Sequence, residues 1–255
     1  MDSFIPWIGG KSQLRKVILE HFPQDEIGRY VEVFGGAGWI LFSKERHAPI
    51  EIFNDIDGHL INLYRCVQYH CDELQRELRM GGEQILINSR ELFSDFLGQL
   101  NTRGLTDIQR AARYYYLIRA SYGANREHFS CSTKNLNLSL DRLPEIQKRL
   151  QRVVIENRDF EMLIKTYNRP DTLYYLDPPY FNAECYDGFS SEDHERLFRC
   201  IQTIRGRLIL SYNNVPKIRE LYKDYKIIEV ERSNVLAHKK GYSSAYKELI
   251  IKNYS

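Results

Sequence analysis

Leu173-Tyr174-Tyr175-Leu176-Asp177-Pro178-Pro179-Tyr180-Phe181 decides the fold. The apolar run reads as a buried strand over Thr172–Leu176, and it ends in a carboxylate, two prolines and an aromatic ring. Open α/β sheets place ligands and reacting groups at the C-terminal ends of such strands, where Asp177 would emerge. Pro179 has no N–H, and paired prolines fix the backbone, so the Pro178 carbonyl is held as a stiff acceptor beside the Asp177 carboxylate. Tyr180 adds a flat face. Two acceptors beside a ring suit a planar substrate bearing an NH2 group, held by two hydrogen bonds and one stack. The alternative is a strand closed by a proline turn, with Tyr180 as a core aromatic.

The elements on either side fit an α/β order. Ser12–Phe22 reads as an amphipathic helix stopped by Pro23, and Tyr30–Phe34 as a strand running into Gly35-Gly36-Ala37-Gly38. A helix from Trp39 to about His47 and a strand at Ile50–Phe53 complete a strand, glycine turn, helix, strand unit. From Ile56 to Leu150 the pattern turns helical, with a polar and aromatic loop from Ser121 to Asn137. Alternation returns with strands at Val153–Glu156 and Thr172–Leu176, a helix opening at Ser190 with Asp193 in capping-box position, and a strand at Leu208–Tyr212. Lys226–Glu231 and Lys247–Lys252 read as an antiparallel hairpin around a Lys/Gly/Ser-rich loop. The expectation is a mainly parallel sheet with an antiparallel C-terminal hairpin and an inserted helical subdomain: residues 1–55 and 151–255 catalytic, 56–150 inserted.

Composition narrows the class. At 255 residues, 43% apolar and 27% charged, the chain can bury a sizeable core, and dominant disorder is excluded. A net charge of +2 confines any nucleic-acid surface to a local basic patch. The cysteines Cys66, Cys71, Cys131, Cys185 and Cys200 are odd in number and never spaced as C-x-x-C, so they read as reduced thiols of a cytoplasmic protein with no metal site. No signal peptide or membrane-spanning run is recognisable.

Two further segments bear on a ligand. Val31-Glu32-Val33-Phe34-Gly35-Gly36-Ala37-Gly38 is glycine-rich where a strand turns, which lets a ligand approach the backbone; it is not the G-x-G-x-x-G pattern. Asp55, at the end of the next strand, stands where an acidic residue accepts ribose hydroxyls, or else caps the helix ahead of Gly58. Trp7-Ile8-Gly9-Gly10-Lys11 offers a freed backbone, a cation and a large ring; in a bland reading Trp7 is core and Lys11 solvated.

Pro6-Trp7-x-Gly9-Gly10-Lys11, Glu32-x-Phe34-x-Gly36-Ala37-Gly38, Asn54-Asp55-Ile56-Asp57 and Asp177-Pro178-Pro179-Tyr180 follow one another in this order, and Tyr246-Lys247-Glu248-Leu249-Ile250-Ile251 closes the series. The chain thereby resembles the Dam-type DNA adenine-N6 methyltransferases over almost its whole length. The resemblance implies a Rossmann-like, S-adenosylmethionine (SAM)-dependent methyltransferase fold. It implies that Trp7 and Lys11 hold SAM, that Phe34, Gly36 and Gly38 let it approach, that Asp55 binds its ribose, and that Asp177 also touches it. Phe160 would pack on the cofactor adenine, or is plain core. Asp177, Pro178, Pro179 and Tyr180 would be the catalytic set, acting on a base flipped out of duplex DNA.

By the same resemblance the inserted region recognises the DNA target. Arg119, Tyr122, Asn125, Arg126 and Lys134 would make phosphate and base-edge contacts, as would Lys239 in the hairpin loop beside His238 and Lys240; a solvated loop would look the same. His128 belongs to the same loop. Gly123 stands where the GATC-specific pattern has Asn, so GATC is not implied. The expected partner is double-stranded DNA, with a restriction endonuclease if the enzyme serves a modification system; a monomer in a bacterial or phage-infected cytoplasm is expected. RNA adenine or cytosine-N4 methylation, and a catalytically dead DNA-binding relative, are the rival readings.

Overall fold

In this computed structural model residues 1–79, 88–131, 140–181, 189–233 and 245–255 are described. Lys134, His238, Lys239, Lys240 and Cys185 lie outside them. In chain order come α1 (Arg15–Glu20), β1 (Arg29–Glu32), β2 (Ile50–Asn54), α2 (Gly58–Tyr69), α3 (Cys71–Leu78), α4 (Arg90–Gln99) and α5 (Asp107–Ala120). They are followed by α6 (Leu143–Leu150), β3 (Val153–Glu156), α7 (Phe160–Tyr167), β4 (Thr172–Leu176) and α8 (Ser191–Gln202). β5 (Arg207–Asn213), α9 (Pro216–Leu221), β6 (Lys226–Ser233) and β7 (Ala245–Lys252) complete the chain.

Two compact units result. The first comprises Met1–Gly10, Gly36–Glu45 and Asp55–Asn157; the second comprises Lys11–Gly35, Arg46–Asn54 and Arg158–Ser255. Met1–Gly10 and Gly36–Glu45, expected with the catalytic segments, pack with the helical stretch. The junctions fall inside three of the sequence motifs, between Gly10 and Lys11, Gly35 and Gly36, and Asn54 and Asp55.

In the second unit the strands run in the order β2-β1-β4-β5-β7-β6. β1 is parallel to β2 and β4, and β4 to β5, whereas β7 is antiparallel to both β5 and β6. Every residue of β4 is buried, as a strand covered on both faces requires. From β1 the chain adds β2 on one side and β4 and β5 on the other, so the adjacent C-terminal ends of parallel β1 and β4 form a switch point, the usual ligand crevice of such sheets. Val33 N–H bonds the Tyr175 carbonyl at 3.0 Å there, which brings Gly35 and Asp177 to neighbouring strand ends. Buried Asn54 ties the ends together, donating to the Val33 and Arg158 carbonyls at 2.9 and 3.1 Å and accepting from Arg158 N–H at 2.8 Å. The core gathers Val31, Ile52, Leu163, Tyr174, Leu176, Leu197, Leu210 and Ile251. α8 opens with the expected capping box of Ser190 and Asp193.

The first unit is helical around α5, which is buried on nearly all sides and begins with a capping box of Thr106 and Gln109. The expected helix from Trp39 to His47 is absent; only a 3-10 turn over Leu41–Ser43 forms. Its carbonyls are taken by tertiary donors: Arg149 reaches the Leu41 and Lys44 oxygens, each at 2.9 Å, and the Met1 amine reaches that of Phe42 at 2.8 Å. Backbone acceptors satisfied this way have no need of a helical ladder. α1 is also shorter than expected, because Lys11–Leu14 form a turn closed by Leu14 N–H to the Lys11 carbonyl. No helix among the described residues is long and apolar enough to cross a membrane.

Candidate active site

In the second unit, β4 delivers Asp177 to its C-terminal end. Lys11 straddles the carboxylate, its ammonium 2.7 Å from one oxygen and 2.9 Å from the other. Lys11 is 3% exposed and therefore not the solvated cation of the bland reading. The same ammonium stands 4.7 Å from the Tyr180 ring centroid and 4.0 Å from Glu248 of β7. Tyr180 donates its hydroxyl to Glu248 Oε2 at 2.5 Å. Burial, with the Asp177 and Glu248 charges beside it, holds the Tyr180 phenol far above its ordinary range, so the hydroxyl stays protonated. The chain after the prolines is clamped to the end of β5: Asn213 accepts from Phe181 N–H at 3.2 Å and donates to its carbonyl at 2.9 Å. Phe181 also packs against His194, which is buried and hydrogen-bonded to the Tyr212 hydroxyl. Phe34, Phe160 and Phe189 form an aromatic trio with centroids 5.8–5.9 Å apart. Phe160 is buried, with the Arg196 guanidinium 4.1 Å over its ring and Asp159 and Asp193 holding that guanidinium.

The first unit holds the other expected residues. Asp55 accepts Gly36 N–H on one oxygen at 2.8 Å and Asp57 N–H on the other at 2.9 Å. Burial pushes its carboxyl up to about 6; those two N–H donors and the Arg126 charge pull it down, while the Asp57 charge adds to the rise. The cap of α2 is Asp57, not Asp55: Asp57 accepts from His59 and Leu60 N–H and also takes the Tyr114 hydroxyl. A carboxylate has about four acceptor positions, so Asp55 keeps acceptor capacity that fits the ribose hydroxyls of the expected cofactor. Gly36 has φ +49°, and a Cβ there would lie 2.8 Å from the Trp7 ring. Gly38 has φ +65° and would meet Phe42 at 3.0 Å. Ile56, next to Asp55, is 69% exposed although apolar.

The loop after α5 is a small hairpin, with Tyr122 N–H to the His128 carbonyl at 2.8 Å and Ser130 N–H to that of Ala120 at 2.7 Å. Asn125, expected to face DNA, spends its side chain inside this turn, accepting from Glu127 and His128 N–H and pairing with the His128 ring. Arg126 adopts φ +64°, and its guanidinium lies 4.4 Å over Trp7 and 5.8 Å from Tyr114. Tyr122 is 67% exposed, and Arg119 closes α5 half-buried, with its Nε lacking a hydrogen-bond partner among the described residues. Glu248, Tyr114 and Asp57 were not singled out as site residues by the sequence. Glu248 stands in the closing segment of the resemblance, as an acid at the head of an apolar run, with no role attached to it there.

An α/β sheet with an Asp-Pro-Pro-Tyr turn at the end of a central buried strand, and an aspartate cradled by a glycine turn, defines an α/β enzyme of the Rossmann-like methyltransferase class. The chain belongs to the D12 class N6 adenine-specific DNA methyltransferase family, whose model matches residues 7–236. It is 28% identical to the type II methyltransferase M1.LlaDCHI of Lactococcus lactis subsp. cremoris, over 98% of this chain and 95% of that one. It is 26% identical to the type II methyltransferase M.MjaIII of Methanocaldococcus jannaschii, over 98% of each. It is 23% identical to the type II methyltransferase M.CviBI of Paramecium bursaria Chlorella virus NC1A, over the full length of both. Among solved structures it is similar to precorrin 8w decarboxylase of Methanobacterium thermoautotrophicum, with 12% identity and a TM-score of 0.41 over 95% of this chain and 90% of that one. Family membership makes the chain a DNA methyltransferase, with DNA as substrate and a methyl donor as co-reactant.

Proposed function

We propose that this enzyme transfers a methyl group from SAM to the N6 amine of adenine at a short specific site in duplex DNA. The observation that carries the reading is half-buried Asp177 at the end of β4, paired with buried Lys11, whose ammonium also stands over the Tyr180 ring. SAM, when bound, supplies an electrophilic methyl group on a sulfonium. Asp55 accepts ribose hydroxyls, Trp7 and Lys11 help hold the cofactor, and Gly36 and Gly38 admit it. The adenine amine is a weak nucleophile because its lone pair is delocalised into the ring. Asp177 and the Pro178 carbonyl accept its two N–H bonds and favour a pyramidal nitrogen, while Tyr180 stacks on the base. Positioning and electrostatic stabilisation of the developing positive charge account for the catalysis, and the released proton goes to Asp177 or water. The amine inside a duplex is out of reach of this geometry, so the base is flipped out. Arg119 and Tyr122 remain DNA contacts in this reading.

Transfer of label from SAM to unmethylated duplex DNA, with RNA in parallel and nucleoside analysis of the product, tests the reading. N6-methyladenine in DNA is expected. Label in cytosine or only in RNA would overturn it.

A further inference from the structure

The catalytic motif does not account for Glu248. It lies on β7, opposite Asn213 of β5, and is 2% exposed. Buried acids are retained where something nearby needs them, because desolvating a charge is costly. Glu248 accepts from the Tyr180 hydroxyl at 2.5 Å and stands 4.0 Å from the Lys11 ammonium. Lys11 is already held by both oxygens of Asp177. The Tyr180 ring itself touches the Lys11 ammonium at 4.7 Å and the Tyr212 ring at 6.2 Å, and its hydroxyl end is held by Glu248. Its backbone side is fixed by the prolines and by the Asn213 clamp on Phe181. The backbone and the hydroxyl lie at the two ends of the ring's long axis, so together they fix the direction of that axis, and with only the backbone end fixed the side chain can swing about its first bond.

We propose that Glu248 is a positioning residue, which holds the long axis of the Tyr180 ring in one direction by accepting its hydroxyl hydrogen bond and so keeps the ring in place for the target base. This rests on the proposed reaction, in which Tyr180 stacks on the base. The demand is for an acceptor at that place, not for a charge. Glu248→Gln keeps a carbonyl oxygen for the Tyr180 hydroxyl, whereas Glu248→Ala removes it. Tyr180→Phe removes the other half of the bond and leaves the ring.

The experiment measures kcat and KM of the full-length enzyme on unmethylated duplex DNA for these three variants and for Tyr180→Phe/Glu248→Ala. In Glu248→Ala, kcat should fall about 30-fold or more, since an ångström of misplacement costs up to ~100-fold. KM for DNA should stay within about 3-fold, because phosphate contacts elsewhere set it. Glu248→Gln should recover most of kcat, and the double variant should be no slower than the slower single one. A Glu248→Ala kcat near wild type, a Gln variant as impaired as the Ala variant, or additive losses in the double variant would each overturn the proposal. Should Glu248→Ala fail to fold, Tyr180→Phe and Glu248→Gln carry the same comparison. A second readout does not depend on activity. With ring-labelled tyrosine, the Tyr180 resonance, assigned through Tyr180→Phe, should be that of an ordered ring in wild type and Glu248→Gln and averaged in Glu248→Ala. Unchanged ring order in Glu248→Ala would overturn the inference even if the wild type methylates DNA. An inactive wild type that shows the ordering difference would refute the proposed reaction and leave Glu248 in its role.

Discussion

Lowering the pH through 6 should release the cofactor and at the same time stabilise the free protein, both through Asp55. Its carboxyl is raised from 3.8 to about 6, with burial as the main cause and Asp57, Arg126 and two backbone N–H donors as the groups facing it. Tyr114, hydrogen-bonded to Asp57, stays protonated in this range because burial raises its phenol. A rise of about two pH units corresponds to about 3 kcal/mol of disfavoured ionisation. Between about pH 4 and 6 the folded chain holds a proton that the unfolded chain has released, so this group's stabilisation is complete below pH 4 and lost as the pH rises through 6. Asp25, Glu161 and Glu220 are lowered by arginine or lysine partners and work in the opposite sense, giving stability that is lost on acidification. The quantity to measure is therefore the difference between wild type and Asp55→Asn in urea unfolding at pH 4 to 8, which should change by about 3 kcal/mol across that range. Cofactor binding runs the other way. Only the ionised carboxylate offers full acceptor capacity to ribose hydroxyls, so the SAM dissociation constant should rise about tenfold from pH 7 to pH 5 in calorimetric titrations. A flat profile in wild type, together with unchanged affinity in Asp55→Asn, would refute the ribose role. A stability difference independent of pH would refute the raised carboxyl.

Arg126→Met should weaken SAM binding by about fivefold, the equivalent of about 1 kcal/mol of cation–π contact with Trp7, and should move the Asp55 midpoint upward; a changed DNA KM with unchanged SAM affinity would return Arg126 to DNA contact alone. Asp177→Asn should cut methyl transfer at least ~100-fold. Its unfolding free energy should fall by only about 2 kcal/mol, less than for an isolated buried pair, because Glu248 remains near Lys11; denaturant titration of a folded but active variant would contradict the role. Gly36→Ala combines a φ of +49° with a Cβ 2.8 Å from Trp7, and should lose about 2–3 kcal/mol and at least tenfold in SAM affinity. Gly123→Ala, at φ +59° with nothing within 4 Å, should lose only about 1 kcal/mol by thermal melting and keep its SAM affinity.

The features legible in the sequence are those written in neighbouring residues. β3 and β4 begin and end where the apolar runs do, and Ser190 caps α8 with Asp193 as the spacing requires. Asp177 and Asp55 stand out because each follows a strand and is followed by residues that restrict or free the backbone. The helix expected after Trp39 failed for the converse reason. Nothing within Trp39–His47 reveals that Met1 and Arg149, far off in the chain, take its carbonyls.

Glu248 was hidden in the same way, since its partner Tyr180 is 68 residues distant. Within β7 the sequence places Glu248 at the head of an apolar run, and its burial comes from residues distant in the chain, Tyr180 and Lys11 among them. Arg126 and Asn125 make the point from the other side. Both look like loop residues free to meet DNA, yet one lies on Trp7 and the other closes its own turn. A charged or amide side chain in a loop is a candidate contact only after its local partners are known, because a hydrogen bond already made must be broken before a phosphate or base edge can be met.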